Sequence, residues 1–110
     1  MTEIKNYFDI QLTSGIHACA KLIATNSETL AFVFAIYESK TGRYLANRKL
    51  HVDACNGYLG LFFEENSIFP IRFDDIEISL FRRDDSACIA IKSPMIAAEV
   101  ELKGLSVGYF

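Results

Sequence analysis

The residues of this chain that could do chemistry are two histidines, three cysteines, three acidic doublets and one serine framed by glycines. His17 and His51 would act as general bases only with a partner in hydrogen-bond reach, and their spacing supplies none. Cys19, Cys55 and Cys88 are odd in number, widely spaced and without a C-x-x-C pair. A zinc site needs a converging ligand set, so these read as reduced thiols packed like small apolar groups, with no metal. Glu64-Glu65, Asp74-Asp75 and Asp84-Asp85 fall at expected turns, where acidic side chains bond the local backbone. Calcium would need a ring of oxygen ligands, and no loop has that spacing. Gly104-Leu105-Ser106-Val107-Gly108 matches the G-x-S-x-G elbow of serine hydrolases, but the elbow needs a helix after the serine, and only Tyr109 and Phe110 follow Gly108 in this sequence. Without a P-loop, a dinucleotide fingerprint or an HExxH pair, the chain reads as non-catalytic and without a cofactor.

The nearest thing to a ligand site in the sequence is the stretch Leu30–Leu50, LAFVFAIYESKTGRYLANRKL. This stretch reads as a β-hairpin. Pairing Glu38 with Arg43 across Ser39-Lys40-Thr41-Gly42 sets opposite charges face to face and puts Gly42 where a positive φ is wanted. In that register Tyr37 faces Tyr44, Ala35 faces Ala46 and Val33 faces Arg48. The reverse side pairs Ile36 with Leu45, Phe34 with Asn47 and Phe32 with Lys49. Phe32, Phe34 and Ile36 demand burial, which leaves Tyr37, Tyr44 and Arg48 as an exposed shelf around Ala35 and Ala46. Tyrosine offers a flat apolar ring with a hydroxyl, and arginine a planar fork of donors, a pairing that suits a sugar ring or a partner's surface. A slip of one residue would exchange the faces of the second strand and dissolve the shelf.

Short strands are expected to carry these residues. Apolar alternation recurs between turn signals: Phe8–Leu12, Ile16–Ala24, Leu30–Tyr37, Tyr44–Val52, Tyr58–Phe63, Ile68–Phe73, Ile76–Arg82, Ala87–Ile91 and Ile96–Leu102. Pro70 favours an edge or a bulge for its strand. Two segments also admit a helix. Ser93-Pro94 and Gly104 could cap one over 95–103, and Ile16, Cys19, Ala20 and Ile23 share a helical face within 16–24. Strict alternation of Ile96, Ala98, Val100 and Leu102 favours a strand in the first, and the second is read the same way. The expectation is one all-β domain over residues 1–110, a single antiparallel β-sandwich of immunoglobulin or jelly-roll kind with eight or nine strands.

Composition narrows the classes. The chain has 110 residues, 51% hydrophobic and 23% charged, with a net charge of −3. That is one globular domain rather than a disordered segment. No basic face or nucleic-acid module is visible. The longest apolar run, Leu30–Tyr37, is too short to span a membrane as a helix. The start MTEIKNYFDIQL lacks a charged segment followed by an apolar run, so a cytoplasmic protein is expected. Nine Phe, five Tyr and no Trp favour core packing over a strong sugar platform.

Ala31-Phe32 through Tyr37, the run Ile76-Glu77-Ile78-Ser79-Leu80-Phe81-Arg82-Arg83-Asp84-Asp85, and Lys92-Ser93 before the last strand form a recognisable series. Over residues 28 to 101 the chain resembles immunoglobulin-like β-sandwich accessory modules of bacterial proteins that make, export or trim surface polysaccharide. It departs from them in carrying Asp74-Asp75 where those modules have a glycine. The resemblance implies a binding role rather than catalysis. The reading is therefore a non-catalytic module binding carbohydrate through Tyr37, Tyr44 and Arg48. The alternative is a protein-interaction or assembly subunit, a homo-oligomer or accessory protein, using the same face or an edge strand.

Overall fold

A computed structural model describes residues 2–26, 28–55, 58–63 and 70–109. Strands β1 (Thr2–Thr13), β2 (Ile16–Ala24), β3 (Leu30–Glu38), β4 (Tyr44–Cys55) and β5 (Tyr58–Phe63) are followed by β6 (Ile71–Phe73), β7 (Ile76–Arg83), β8 (Ser86–Lys92), β9 (Ala97–Leu102) and β10 (Leu105–Tyr109). They form two sheets. The larger has the order β1-β2-β3-β4-β5-β10 and curls into a half-barrel, and the smaller runs β6-β7-β8-β9. Both orders are sequential apart from the step from β5 to β10, whereas an immunoglobulin-like sandwich is wired by Greek-key connections.

Period-two patterning explains most of these elements. Along β7, Ile76, Ile78 and Leu80 are buried while Glu77, Ser79 and Phe81 stay half-exposed. In β2, Ala18, Ala20 and Leu22 face the core and Cys19 faces the opposite way, so the apparent helical face is split between two sides of a sheet. The helix over 95–103 is likewise absent. Ser93 N–H bonds Ile96 O at 2.8 Å and Ser93 Oγ accepts from Ile96 N–H at 3.0 Å, so Ser93 closes a hairpin instead of capping a helix.

Two expectations need correction. The sheets are not wholly antiparallel, because β10 lies parallel to β5, pairing Leu105 with Leu59 and Tyr109 with Phe63. Strand β10 itself is the tenth element; Leu105, Val107 and Tyr109 alternate with Ser106 and Gly108, but over only five residues that overlap the G-x-S-x-G pattern. The segment of the G-x-S-x-G match is thus a turn and a strand, with Gly104 at φ 86°.

The acidic doublets Asp74-Asp75 and Asp84-Asp85 are two-residue hairpin loops, with Asp74 and Asp84 in the left-handed region at φ 53° and 54°. That conformation suits Asp among L-residues because its short side chain bonds locally. The third doublet, Glu64-Glu65, lies outside the described residues, as does the first part of the strand expected over 68–73.

One core joins the sheets. Phe32, Phe34, Ile36, Leu50, Val52 and Leu61 line the concave side of the larger sheet and meet Ile78, Leu80, Ile89, Ile91 and Leu102 of the smaller. Burial of these side chains is the main favourable term holding the domain together.

Candidate functional site

The β3–β4 hairpin turns as its sequence implies. Glu38 N–H bonds Arg43 O at 2.9 Å, Gly42 N–H bonds Glu38 O at 2.8 Å, and Gly42 sits at φ 73°. Tyr37 then faces Tyr44. One residue further the ladder slips: Ile36 pairs with Ala46, and Leu45 becomes the extra residue of a β-bulge. Leu45 and Ala46 both pack against the core. From there Ala35 faces Asn47, Phe34 faces Arg48 and Val33 faces Lys49.

The uniform register is therefore corrected, and its consequence is large. Cross-strand partners share a face, so half-buried Arg48 lies with Phe34 on the concave side. Tyr37 and Tyr44 stay together on the convex side, without Arg48 and Ala46, and Ala35, expected on the exposed shelf, is fully buried there with Val33 and Cys19. The physical cause is solvation. Without the bulge, Asn47, Lys49 and His51 would point into the core, and burying those polar groups costs far more than one irregular step in a ladder. With it, Leu50 and Val52 are buried.

The convex face holds a different constellation. Strands β1 and β2 meet across the Ser14-Gly15 turn, and the ladders place Gln11, His17, Tyr37 and Tyr44 in one row, with Asp9, Cys19, Ala35 and Asn47 in the next. Asp9 bridges the rows. Its Oδ1 lies 2.8 Å from His17 Nδ1, and its Oδ2 accepts the Tyr37 hydroxyl. The His17 and Tyr37 rings stand 5.3 Å apart, centroid to centroid. Tyr44, 44% exposed, is the large apolar side chain beside this network. Lys21 flanks the site and pairs with Glu3 at 3.4 Å.

Asp9 and His17 lie outside the shelf that the sequence suggests, and the partner that His17 lacks in sequence spacing is Asp9. The signal was present: both occupy outward positions of a hairpin around Thr13-Ser14-Gly15. Asp9 pairs directly with Cys19, so His17 is its diagonal neighbour, close enough for long side chains to meet. His51 has a similar partner on its own strand, Asp53 Oδ1 at 2.7 Å from Nε2. His51 also lines a cleft of about 260 Å³ with Thr25, Thr29, Leu30 and Lys49.

Titration at the network follows from these contacts. Burial raises the Asp9 carboxyl, but hydrogen bonds from Tyr37 and His17, with the His17 and Lys21 charges, outweigh it and hold the group below its ordinary 3.8. Tyr37 is pushed up to about 12, first by its hydrogen bond to Asp9, then by burial and the Asp9 charge. The signs are opposite in consequence. Asp9 stabilises the fold above its ordinary 3.8, and this is lost as pH falls through its depressed folded value. Tyr37 stabilises the fold fully below its ordinary 10.0, and this is lost as pH rises toward about 12. Between pH 10 and 12 the urea midpoint is expected to fall more in the native protein than in Tyr37→Phe. The acid limb of Tyr37→Phe should shift to higher pH, since Asp9 loses a donor. Coincident pH profiles would refute this coupling.

Cys19 is fully buried and its thiol is pushed up to about 11 by burial, so it stays protonated near neutral pH and is a packing group rather than a nucleophile. Cys88 is also buried with a free thiol, and the side chain of Cys55 lies outside the described residues. Among the described residues no cluster of His, Cys, Asp or Glu is suited to a metal ion, and no helix is long and apolar enough to cross a membrane. What the convex face offers is an exposed aromatic ring beside a carboxylate, an imidazole and a phenol locked together. Comparison of the chain with protein-family models, with curated proteins and with solved structures finds no match in any of the three.

Proposed function

We propose that the protein is a non-catalytic binding module that takes carbohydrate on the convex face of its larger sheet. The observation that carries this reading is the juxtaposition of the exposed Tyr44 ring with the Asp9–His17–Tyr37 network. A sugar presents an apolar ring face and a rim of hydroxyls. Tyr44 supplies a flat partner for the first. Asp9 has remaining lone pairs for a hydroxyl, and His17, engaged through Nδ1, turns Nε2 to the ligand. Holding these groups before binding lowers the ordering cost of association. Arg48, on the concave side, takes no part in this surface.

A glycan array followed by titration calorimetry tests the reading. Native protein is expected to bind at least one glycan class, and Tyr44→Ala to weaken it by about tenfold or more, the loss of one stacked ring. Arg48→Lys should bind as the native protein does. Failure to bind any glycan, or unchanged binding by Tyr44→Ala, would overturn the assignment.

A further inference from the structure

We infer that the outer edge of β9 is a docking edge for an extended segment of a partner protein that alternates basic and apolar residues. Four strands terminate the two sheets, and three are compromised as templates. β1 carries three register shifts against β2, which twist an edge out of pairing geometry. β6 has only three residues and lies close to β4, and β10 lies close to β7 and β8 of the other sheet. β9, by contrast, runs without irregularity along β8, from Ala97 opposite Lys92 to Leu102 opposite Ala87.

The hydrogen-bond phase of that ladder is set at its hairpin. Ser93 N–H bonds Ile96 O, which makes Ser93 and Ile96 a hydrogen-bonded pair. Alternation along an antiparallel ladder then turns the backbone groups of Ala98, Val100 and Leu102 toward β8, and those of Ala97, Glu99 and Glu101 outward. The exposed edge therefore presents three N–H and C=O pairs in strand geometry. Between Ala97 and Leu102 it has none of the lysines, prolines or bulges that usually blunt such an edge. Beside it lies a shallow depression of about 470 Å³ lined by Ala90, Ile91, Lys92, Ala97, Ala98 and Glu99.

Side chains define the occupant. A strand added to β9 would set alternate residues beside half-buried Ala98 and Val100, and the others beside exposed Glu99 and Glu101. Glu99 is held by Arg83 at 2.5 Å, whereas Glu101 accepts the neutral Ser86 hydroxyl at 3.0 Å and, among the described residues, pairs with no basic side chain. A second copy of β9 would bring glutamate against glutamate, which is unfavourable across strands. A basic, alternating segment satisfies both the backbone edge and the charge.

The test uses the intact chain and two synthetic probes, a ten-residue alternating Lys-Val peptide and its Glu-Val counterpart. The basic peptide is expected to bind about tenfold or more tightly than the acidic one, with affinity falling as salt rises. Amide exchange at Ala97, Glu99 and Glu101 should slow on binding. Ala97→Pro removes an outward N–H without touching the β8 ladder; it should keep the native thermal transition and lose the peptide. Glu101→Lys should reverse the preference between probes. Equal binding of the two peptides, native binding by Ala97→Pro, or a β9-mediated dimer in sedimentation would each overturn the inference. Tyr44→Ala should leave peptide binding unchanged, so this edge and the carbohydrate face fail or stand separately.

Discussion

Replacing Phe32 with alanine is expected to lower the free energy of unfolding by about 3–5 kcal/mol, the cost of deleting a buried aromatic side chain and leaving a partly collapsed cavity. Phe32 is the hub of the core. It is 0% exposed, sits mid-strand in β3, and pairs across the ladders with Leu22 and Leu50. The Tyr7 ring approaches it edge-on at 5.9 Å and Phe34 lies 6.1 Å away, centroid to centroid. Tyr7 comes from β1 at the sheet's rim, so the substitution loosens the edge hairpin as well as the centre. A domain of this size is stable by about 5–15 kcal/mol in all, so the variant should lose a large share of its resistance to urea. Urea titration followed by far-ultraviolet circular dichroism gives the number. A loss below about 1 kcal/mol would mean that Phe32 is not a core residue.

The second expected result separates the two hairpin registers. In the observed ladder Arg48 shares the concave face with Phe34 and is half-buried, while Lys49 is exposed on the convex face opposite Val33. Arg48→Glu should therefore cost about 1–3 kcal/mol, because it removes the packed stem and places the opposite charge at a half-buried position. Lys49→Glu should stay within about 0.5 kcal/mol of native, as surface changes usually do. A uniform register predicts the reverse, with Lys49 against Phe32 and Arg48 harmless on the outer shelf. The ratio of the two losses, measured in one urea series, decides between them independently of any ligand.

Much of the architecture was legible because strand patterning is local. β2 and β5 begin and end where alternation and turn residues say, and β3 differs at its end only by Glu38. Phe32, Phe34 and Ile36 are buried as their spacing demands, and Gly42 takes the positive φ that its loop requires. The Leu45 bulge also left a trace. The apolar phase of β4 changes from Leu45 to Leu50 and Val52, a parity switch that a regular strand cannot hide on one face. That trace has meaning only against β3, since the phase of one strand fixes a face only once its partner's buried face is known.

The candidate site was legible only in part. Tyr37 and Tyr44 meet because a tight turn joins them, and turn chemistry is a matter of neighbouring residues. Arg48 leaves them because the bulge intervenes. Asp9 joins His17 and Tyr37 only when three strands from residues 2 to 38 lie side by side in register. Strand formation, the residues that seek burial and the points of chain reversal follow from residue order, since each depends on side-chain period or local backbone preference. The division of strands between sheets, the parallel return of β10 to β5, and the convergence of a carboxylate, an imidazole and a phenol on one face emerge only in the folded chain. Those outcomes depend on contacts between segments far apart in the chain, chosen by which pairing buries the most apolar surface while leaving the fewest polar groups unsolvated.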